Sequence, residues 1–213
     1  MNKLNPTLYL VTNSDGMNEA DFLNTIIFAC GGGVTLVQLR EKNLSGRDFY
    51  NLAVKVKTIT DMFDIPLIID DRVDIALAIN ASGVHLGQAD LPIAAARAVM
   101  GADKIVGATA KTVEQAKEAE AAGADYLGVG AMYPTKTKVV TVLTPVETLR
   151  DIVKNVKIPV VAIGGLNAGN LEILNGSGAS GIAVVRAIME SKTPKETAAE
   201  LLKFTNAFQT KQQ

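Results

Sequence analysis

The chain has 213 residues, 48% hydrophobic and 20% charged, which predicts one globular domain over 1–213 with a sizeable core. Its net charge is −1, from 21 basic and 22 acidic residues, so no overall positive field is present to hold nucleic acid or an anionic membrane. No stretch approaches the ~18 apolar residues of a membrane helix, and the single cysteine, Cys30, excludes an intrachain disulfide and fits a reducing, cytoplasmic location.

Short apolar runs alternate with helical patterns along the chain. The runs predict strands at 8–12, 35–40, 66–70, 83–86, 104–108, 126–129, 159–163 and 181–184. Helical periodicity follows them at about 18–30, 45–63, 72–79, 92–100, 112–122, 144–154, 167–175 and 194–208. Near-continuous apolar strands are typical of parallel sheets covered on both faces. Eight strands, each followed by a helix, predict an α/β fold, a single (β/α)8 TIM barrel.

A doubly wound open sheet is the competing architecture. Its dinucleotide-binding form needs a glycine-rich turn directly after the first strand, but residues 12–16 contain one glycine. The three glycines at 31–33 precede a strand, which predicts a helix-to-strand turn and not a phosphate loop. The barrel is therefore the expected fold.

Polar segments follow five of the predicted strands. They are residues 38–42, 70–72, 87–90, 134–138 and 164–165. In a parallel barrel the carboxyl ends of all strands open on one face, and that face carries the active site. These segments are therefore expected to converge on one pocket.

Three aspartates belong to these segments. Asp70 and Asp71 end the third strand, and Asp90 follows the fourth. Neighbouring strands would bring the carboxylates within reach of one metal ion, and oxygen ligands favour Mg²⁺. The alternative is that Asp71 and Asp90 only cap the helices that follow them.

Two bases end the second strand. Because side chains alternate along a strand, Gln38, Arg40 and Lys42 are expected on one side, with Glu41 between the two cations. Arginine can bind phosphate through two hydrogen bonds, and lysine offers a point charge. A solvated charged loop is the alternative.

The later strand ends carry features of an anion site. Thr135, Lys136, Thr137 and Lys138 follow the sixth strand and suit an anion clamp, although an ordinary polar loop is equally open. The glycines at 164–165 would let backbone N–H groups approach a ligand, and Val185 and Arg186 lead into a short helix after the eighth strand.

The sequence offers few candidate residues for acid–base catalysis. The only histidine, His85, lies inside the fourth strand, which favours an inner-barrel packing residue over a general base. Metal ligands, cations and hydrogen-bond donors suit the departure of an anionic leaving group. A metal plus two phosphate sites indicates two phosphorylated substrates, or one substrate with separated phosphates.

These segments resemble the thiamine-phosphate synthase (thiamine-phosphate pyrophosphorylase) family over nearly the whole chain. The most specific motifs are VQLREK at 37–42, DRVD at 71–74, GVHLGQ at 83–88 with Asp90, and GADYLGVG at 123–130 running into PTKTK at 134–138. The resemblance implies a TIM-barrel transferase of thiamine biosynthesis that joins a hydroxymethylpyrimidine diphosphate to a thiazole phosphate, giving thiamine phosphate and diphosphate.

The resemblance also implies roles for individual residues. Asp71 and Asp90 would hold Mg²⁺, and Arg40, Lys42 and Lys138 would act on the leaving diphosphate. The residues that would bind the pyrimidine substrate are Gln38, Arg40, Lys42, Thr109 and Lys138, and Leu39, Glu41 and Asp70 are further residues expected to bind substrate. The residues that would bind the thiazole phosphate are Thr135 and Thr137, with Lys136 beside them, and Gly165, Val185 and Arg186.

The chain departs from the family pattern at a few positions. Asp70 stands where the family usually has Asn, Thr109 and Arg186 each stand where it usually has Ser, and two valines follow Lys138. A thiazole tautomerase-like isomerase resembles the synthase but tends to lack these acids and cations. A non-catalytic barrel that binds thiamine precursors is the other alternative. The expected partners are small-molecule substrates, with neither nucleic acid nor membrane, and a homo-oligomer is left open.

Overall fold

The computed structural model describes residues 4–135 and 143–210, with the side chains of 208–210 left aside. Eight parallel strands close into a barrel in the order of the chain, and β1 pairs with β8. The predicted TIM barrel is confirmed. The strands are β1 Leu8–Val11, β2 Leu36–Leu39, β3 Leu67–Asp70, β4 Gly83–Leu86, β5 Ile105–Ala110, β6 Tyr126–Val129, β7 Val160–Ile163 and β8 Gly181–Val184.

The helices surround the barrel. They are α1 Glu19–Gly31, α2 Gly46–Met62, α3 Val73–Ala78, α4 Ile93–Met100, α5 Val113–Ala121, α6 Val146–Asn155, α7 Arg186–Met189 and α8 Pro194–Thr210. Ser45 and Thr112 cap α2 and α5, since each side chain accepts a hydrogen bond from a backbone N–H in the first turn. The helix predicted at 167–175 is wrong, because only a 3₁₀ turn forms there, at Leu171–Leu174.

The core has two layers, separated by the wall of the barrel. The larger layer lies between the strands and the helices and contains alternate strand residues such as Val37 and Leu39. Cys30 belongs to this layer, where burial raises the pKa of its thiol to about 12, so it is an inert packing residue. No helix among the described residues is long and apolar enough to cross a membrane.

The smaller layer fills the inside of the barrel. Its buried residues are Tyr9, Val11, Leu36, Ile68, Tyr126, Val161 and Ala183. The Tyr126 ring fits because β5 has a glycine beside it. A Cβ atom on Gly107 would lie 2.2 Å from Cζ of Tyr126. Gly107 therefore makes room for an aromatic ring in the barrel interior.

Candidate active site

A cavity of about 460 Å³ opens at the carboxyl ends of the strands. Its walls come from β1, β2 and β4–β8 and from the loops that follow them. The predicted site residues among those that line it are Gln38, Arg40, Thr109, Thr135, Gly165, Val185 and Arg186. The expectation that five polar segments meet at one pocket is met in part, because segments 38–42, 134–138 and 164–165 contribute to the lining and segments 70–72 and 87–90 do not.

A charged rim lies beside the cavity, made of Arg40, Lys42, Asp70 and Asp71. The Lys42 ammonium contacts both carboxylates, with 2.9 Å between Nζ and Oδ2 of Asp70. Nε of Arg40 lies 3.8 Å from the same Asp70 oxygen. Burial raises the pKa of Asp70, although Lys42 and Arg40 oppose the rise. Burial likewise opposes the charge on Lys42, but the two carboxylates outweigh it and raise the pKa of this lysine.

Asp90 is held at the end of β4 by its own loop. Its Oδ2 accepts a hydrogen bond of 2.7 Å from the backbone N–H of Gly87. Asp90 is close enough to Asp70 to raise the pKa of that carboxyl further. The idea that these acids only cap helices is wrong, because the N-cap positions of α3 and α4 are Arg72 and Pro92, and neither helix has a side-chain cap.

The acids fit a hard cation with few protein ligands. The described residues contain no cluster of three or more His, Cys, Asp or Glu side chains that could enclose a metal. Asp71 and Asp90 follow adjacent strands and offer oxygen ligands only, and Mg²⁺ is usually held by one or two carboxylates plus water and substrate phosphates. Lys42 supplies the positive charge between Asp70 and Asp71 in this structure.

The side chains of β2 and of the residues that follow it point alternately into the cavity and away from it, as expected for a strand. Gln38 and Arg40 line the cavity. Leu39 packs into the helix-facing layer instead. Glu41 turns to the loop after β1, where its Oε2 accepts a 2.7 Å hydrogen bond from Ser14. Its buried Oε1 has no hydrogen-bond partner in the part of the chain that the structure describes, and burial raises the pKa of this carboxyl. Neither the Leu39 nor the Glu41 side chain lines the cavity, so any substrate contact there would use their backbone.

A line of hydrogen-bonded polar groups crosses the barrel at the floor of the cavity. It consists of Gln38, Tyr9, Tyr126, His85 and Thr109, joined by hydrogen bonds of 2.6, 2.7, 3.0 and 3.0 Å in that order. Both ring nitrogens of His85 are thus engaged. This engagement favours the predicted packing role of His85 over the alternative of a general base.

The far wall of the cavity is shaped by two glycines with positive φ. Gly164 and Gly165 have φ of 103° and 66°. A Cβ on Gly165 would lie 2.6 Å from Cβ of Tyr133, so the close approach of the two loops needs glycine. Across the wall, Arg186 forms an ion pair with Glu190, 2.5 Å from Nε to Oε1, while remaining on the cavity lining. Lys136, Thr137 and Lys138 lie outside the described residues.

Several lining residues were missed by the sequence reasoning. The polar ones among them include Tyr9 and Lys111, with Asn167 at the loop after β7. Alternation within β1 could have placed Tyr9 inside the barrel, since it pairs with Leu36 of the inner layer. The same rule could have found Lys111, two residues beyond Thr109. Asn167 gives no such signal, because it lies in a loop.

Comparisons with known proteins agree with this geometry. A family model described as thiamine monophosphate synthase matches residues 8–188. The chain is 53% identical over 203 residues to a thiamine-phosphate synthase of Methanobrevibacter smithii, covering 95% of this chain and 97% of that protein. It is 52% identical over 200 residues to one of Ruminiclostridium cellulolyticum, covering 94% and 95%. A solved thiamine phosphate pyrophosphorylase from Pyrococcus furiosus has a TM-score of 0.85 at 38% identity, covering 95% of this chain and 96% of that one.

Proposed function

The chain belongs to the thiamine monophosphate synthase family, and from that premise we propose that the mouth of its barrel joins 4-amino-2-methyl-5-(diphosphooxymethyl)pyrimidine to a thiazole phosphate. The products are thiamine phosphate and diphosphate. The protein is thus a transferase. The observation that carries the proposal is the placement of Arg40 on the cavity lining, with Lys42 and the carboxylates directly beside it.

The diphosphate end of the pyrimidine substrate is assigned to the charged rim. The Arg40 guanidinium is 3.8 Å from Asp70, so it is oriented by that carboxylate without being tied to it by a short bond. Asp70 therefore acts as an internal counterion for the cations. The negative charge of the acid that stands in place of the family's usual asparagine is thus offset by Lys42 and Arg40.

Asp71 and Asp90 would hold Mg²⁺, which supplies positive charge to the departing diphosphate when it is bound. Lys42 already contacts Asp71. If these carboxylates held Mg²⁺, the Lys42 ammonium would be available to the phosphate oxygens. Lys42 would then both balance the carboxylates and bind phosphate.

The reaction needs charge stabilisation more than proton transfer. The bond between the pyrimidine methylene and the diphosphate oxygen breaks, the electron pair leaves with the diphosphate, and the amino-substituted ring stabilises the cation. The thiazole nitrogen then donates its lone pair to the methylene and forms the new C–N bond. A well-placed donor is worth roughly 2.7–4 kcal/mol of transition-state stabilisation, which is the role proposed for Arg40, Lys42 and Lys138.

The thiazole phosphate is assigned to the opposite wall. Gly165 and Val185 line the cavity there and expose backbone to it, and Thr135 lies on the same lining. Arg186 adds a guanidinium at the rim of this wall. The contacts proposed for Lys136, Thr137 and Lys138 stay predictions.

The two alternative functions are disfavoured. Relatives about half identical over nearly their whole length are named synthases, and the chain keeps the acids and cations that the isomerase tends to lack. The departures at Asp70 and Arg186 prompted the idea of a non-catalytic barrel, but both side chains are balanced by neighbouring charges. The single-domain organisation, cytoplasmic location and oligomeric state stay predictions.

An assay of product formation tests the proposal. Purified protein is incubated with the pyrimidine diphosphate and the thiazole phosphate, with either one omitted, and with Mg²⁺ or excess chelator. Thiamine phosphate and equimolar diphosphate are expected only when both substrates and Mg²⁺ are present. Undiminished product in excess chelator would contradict the metal assignment, and no product under any condition would contradict the synthase.

A further inference from the structure

The buried polar chain consists of the five hydrogen-bonded residues Gln38, Tyr9, Tyr126, His85 and Thr109. Its members come from β2, β1, β6, β4 and β5, so it ties together most of the barrel. Gln38 and His85 are 3% and 9% exposed, and Tyr9 and Tyr126 are 2% and 0% exposed. Four of its five members, all except Tyr126, line the cavity, with Gln38 and Thr109 at the two ends. The network therefore holds two separate polar points on the substrate-facing surface in a fixed relation.

In the buried polar chain, the donor of the first hydrogen bond determines the donor of each bond that follows. The Gln38 Nε2 group donates to the Tyr9 hydroxyl oxygen. Within the chain, the Tyr9 proton must then be donated to Tyr126, whose oxygen is 2.7 Å away. The Tyr126 proton in turn has His85 Nδ1 as its acceptor, 3.0 Å away. This order requires a neutral imidazole that carries its proton on Nε2.

One donor and one acceptor are left without a partner inside the buried polar chain, one at each of its ends. Because His85 Nε2–H donates to Thr109 Oγ1, the threonine hydroxyl proton is left to donate toward the cavity. At the other end the Gln38 amide oxygen has no hydrogen-bond partner among the described residues, and Gln38 lines the cavity. The cavity therefore presents an acceptor at Gln38 and a donor at Thr109.

We propose that Tyr9, Tyr126 and His85 are positioning residues that fix this acceptor–donor pair, so that the cavity selects a 4-aminopyrimidine over its 4-oxo counterpart. The inference rests on the proposed function. An aminopyrimidine offers an N–H donor on its exocyclic amine and lone-pair acceptors on its ring nitrogens. The 4-oxo ring reverses this pattern, with an acceptor oxygen and a ring N–H. Buried groups left unpaired are costly, so a fixed polarity discriminates strongly between the two.

The donor–acceptor direction of the hydrogen bonds in the buried polar chain can be observed directly, because the protein has one histidine. The imidazole ¹⁵N signals of tag-free protein therefore belong to His85 without further assignment. At neutral pH the proposal expects a neutral ring protonated on Nε2. An Nδ1–H tautomer or an imidazolium would overturn it, since either would leave the Tyr126 proton without Nδ1 as its acceptor. This experiment needs neither a variant nor a ligand.

Binding of two ring analogues tests the selectivity. The dissociation constants of the 4-amino and 4-oxo pyrimidine diphosphates are measured by calorimetry with Mg²⁺ for the wild type and for Tyr126→Phe. Without the Tyr126 hydroxyl, the Tyr9 proton turns to Gln38 and the amide rotates to accept it. The preference for the amino ring is then expected to fall at least about tenfold. Tyr9→Phe, which removes the anchor of the amide, is expected to lower the preference as well.

Ile68→Val is the matched control, because Ile68 is fully buried in the same inner layer but belongs to neither the chain nor the cavity lining. It is expected to keep the wild-type preference. An unchanged preference in folded Tyr126→Phe, or an equal loss in Ile68→Val, would overturn the positioning role. A wild type that bound neither analogue and formed no product would instead overturn the proposed function, and with it the ligand assigned to the chain.

Discussion

The charged rim and the buried polar chain lie next to each other but differ in nearly every physical respect. The rim is ionic, and its Lys42 and Asp71 side chains are 43% and 26% exposed. The buried polar chain contains no carboxylate, ammonium or guanidinium group, and burial raises the pKa of both its tyrosines above the usual value. Gln38 and Arg40 show how close the two regions are, since Gln38 lies in β2 and Arg40 directly follows the last residue of that strand.

This difference indicates a division of labour within one pocket. Charged groups near solvent can exchange partners at low cost, so the rim suits an anion that binds, reacts and leaves. Neutral groups in the interior are fixed by their hydrogen bonds and suit recognition of an uncharged ring. Each prediction below disturbs one region and leaves the other intact.

Loss of a rim carboxylate is expected to have the largest effect. Asp71 has φ of 59°, a conformation that asparagine tolerates, so Asp71→Asn removes the charge with little backbone strain. Turnover should fall by two or more orders of magnitude, on the order of the effect of losing one electrostatic group at a reacting centre. Steady-state kinetics measure this fall, and the melting temperature should change little.

Asp74→Asn is the control for that variant. Asp74 is also an aspartate that follows β3, but it pairs with Arg72 at the surface, away from the cavity lining. Its turnover should stay near the wild-type value. Equal losses in the two variants would mean that general surface charge, and not the position of Asp71, supports the reaction.

Overpacking the interior comes next. Gly107→Ala places a methyl 2.2 Å from the Tyr126 ring, and misplaced methyl groups in a packed core cost about 1–3 kcal/mol of unfolding free energy. Urea denaturation should therefore show a loss near the upper end of this range. Gly31→Ala, in α1 with its nearest neighbour 3.9 Å away, should cost nothing. A fully stable Gly107→Ala would show that the interior is looser than described.

Removal of the Arg40 guanidinium should have an intermediate effect on binding. A hydrogen bond to a charged group is worth roughly 1.5–3 kcal/mol. Arg40→Ala should therefore raise the dissociation constant of the pyrimidine diphosphate by about 10- to 100-fold. Binding of the thiazole phosphate should hardly change. Arg40→Lys should recover only part of the loss if the contact uses two hydrogen bonds. Calorimetry that found equal losses for both substrates would contradict the assignment of Arg40 to one side of the pocket.

Arg186→Ser should have the smallest effect. The guanidinium is already paired with Glu190 and its side chain is 44% exposed, so its contact with phosphate is weakened by solvent and by the competing carboxylate. The Michaelis constant for the thiazole phosphate should rise only a few-fold, and that for the pyrimidine diphosphate should stay constant. A lower Michaelis constant for the thiazole phosphate would instead identify Arg186 as an obstruction.

The sequence predicted the fold because the strands are nearly continuous apolar runs, a pattern that leaves little freedom of interpretation. The helix predicted at 167–175 failed where glycine and asparagine residues surround a short apolar segment, and only the turn at Leu171–Leu174 forms. At the site, alternation correctly paired Gln38 with Arg40. It could not reveal the chain from Tyr9 to Thr109, because those hydrogen bonds join residues up to 117 positions apart.

One titration tests the division between rim and interior most directly. Inorganic diphosphate, which has no ring, is titrated with Mg²⁺ into the wild type, Arg40→Ala and Tyr126→Phe. The account predicts that Arg40→Ala lowers the affinity for diphosphate by about tenfold or more, whereas Tyr126→Phe binds diphosphate as tightly as the wild type does. Equal weakening in both variants would contradict the account, because the interior chain would then be acting on the diphosphate as well.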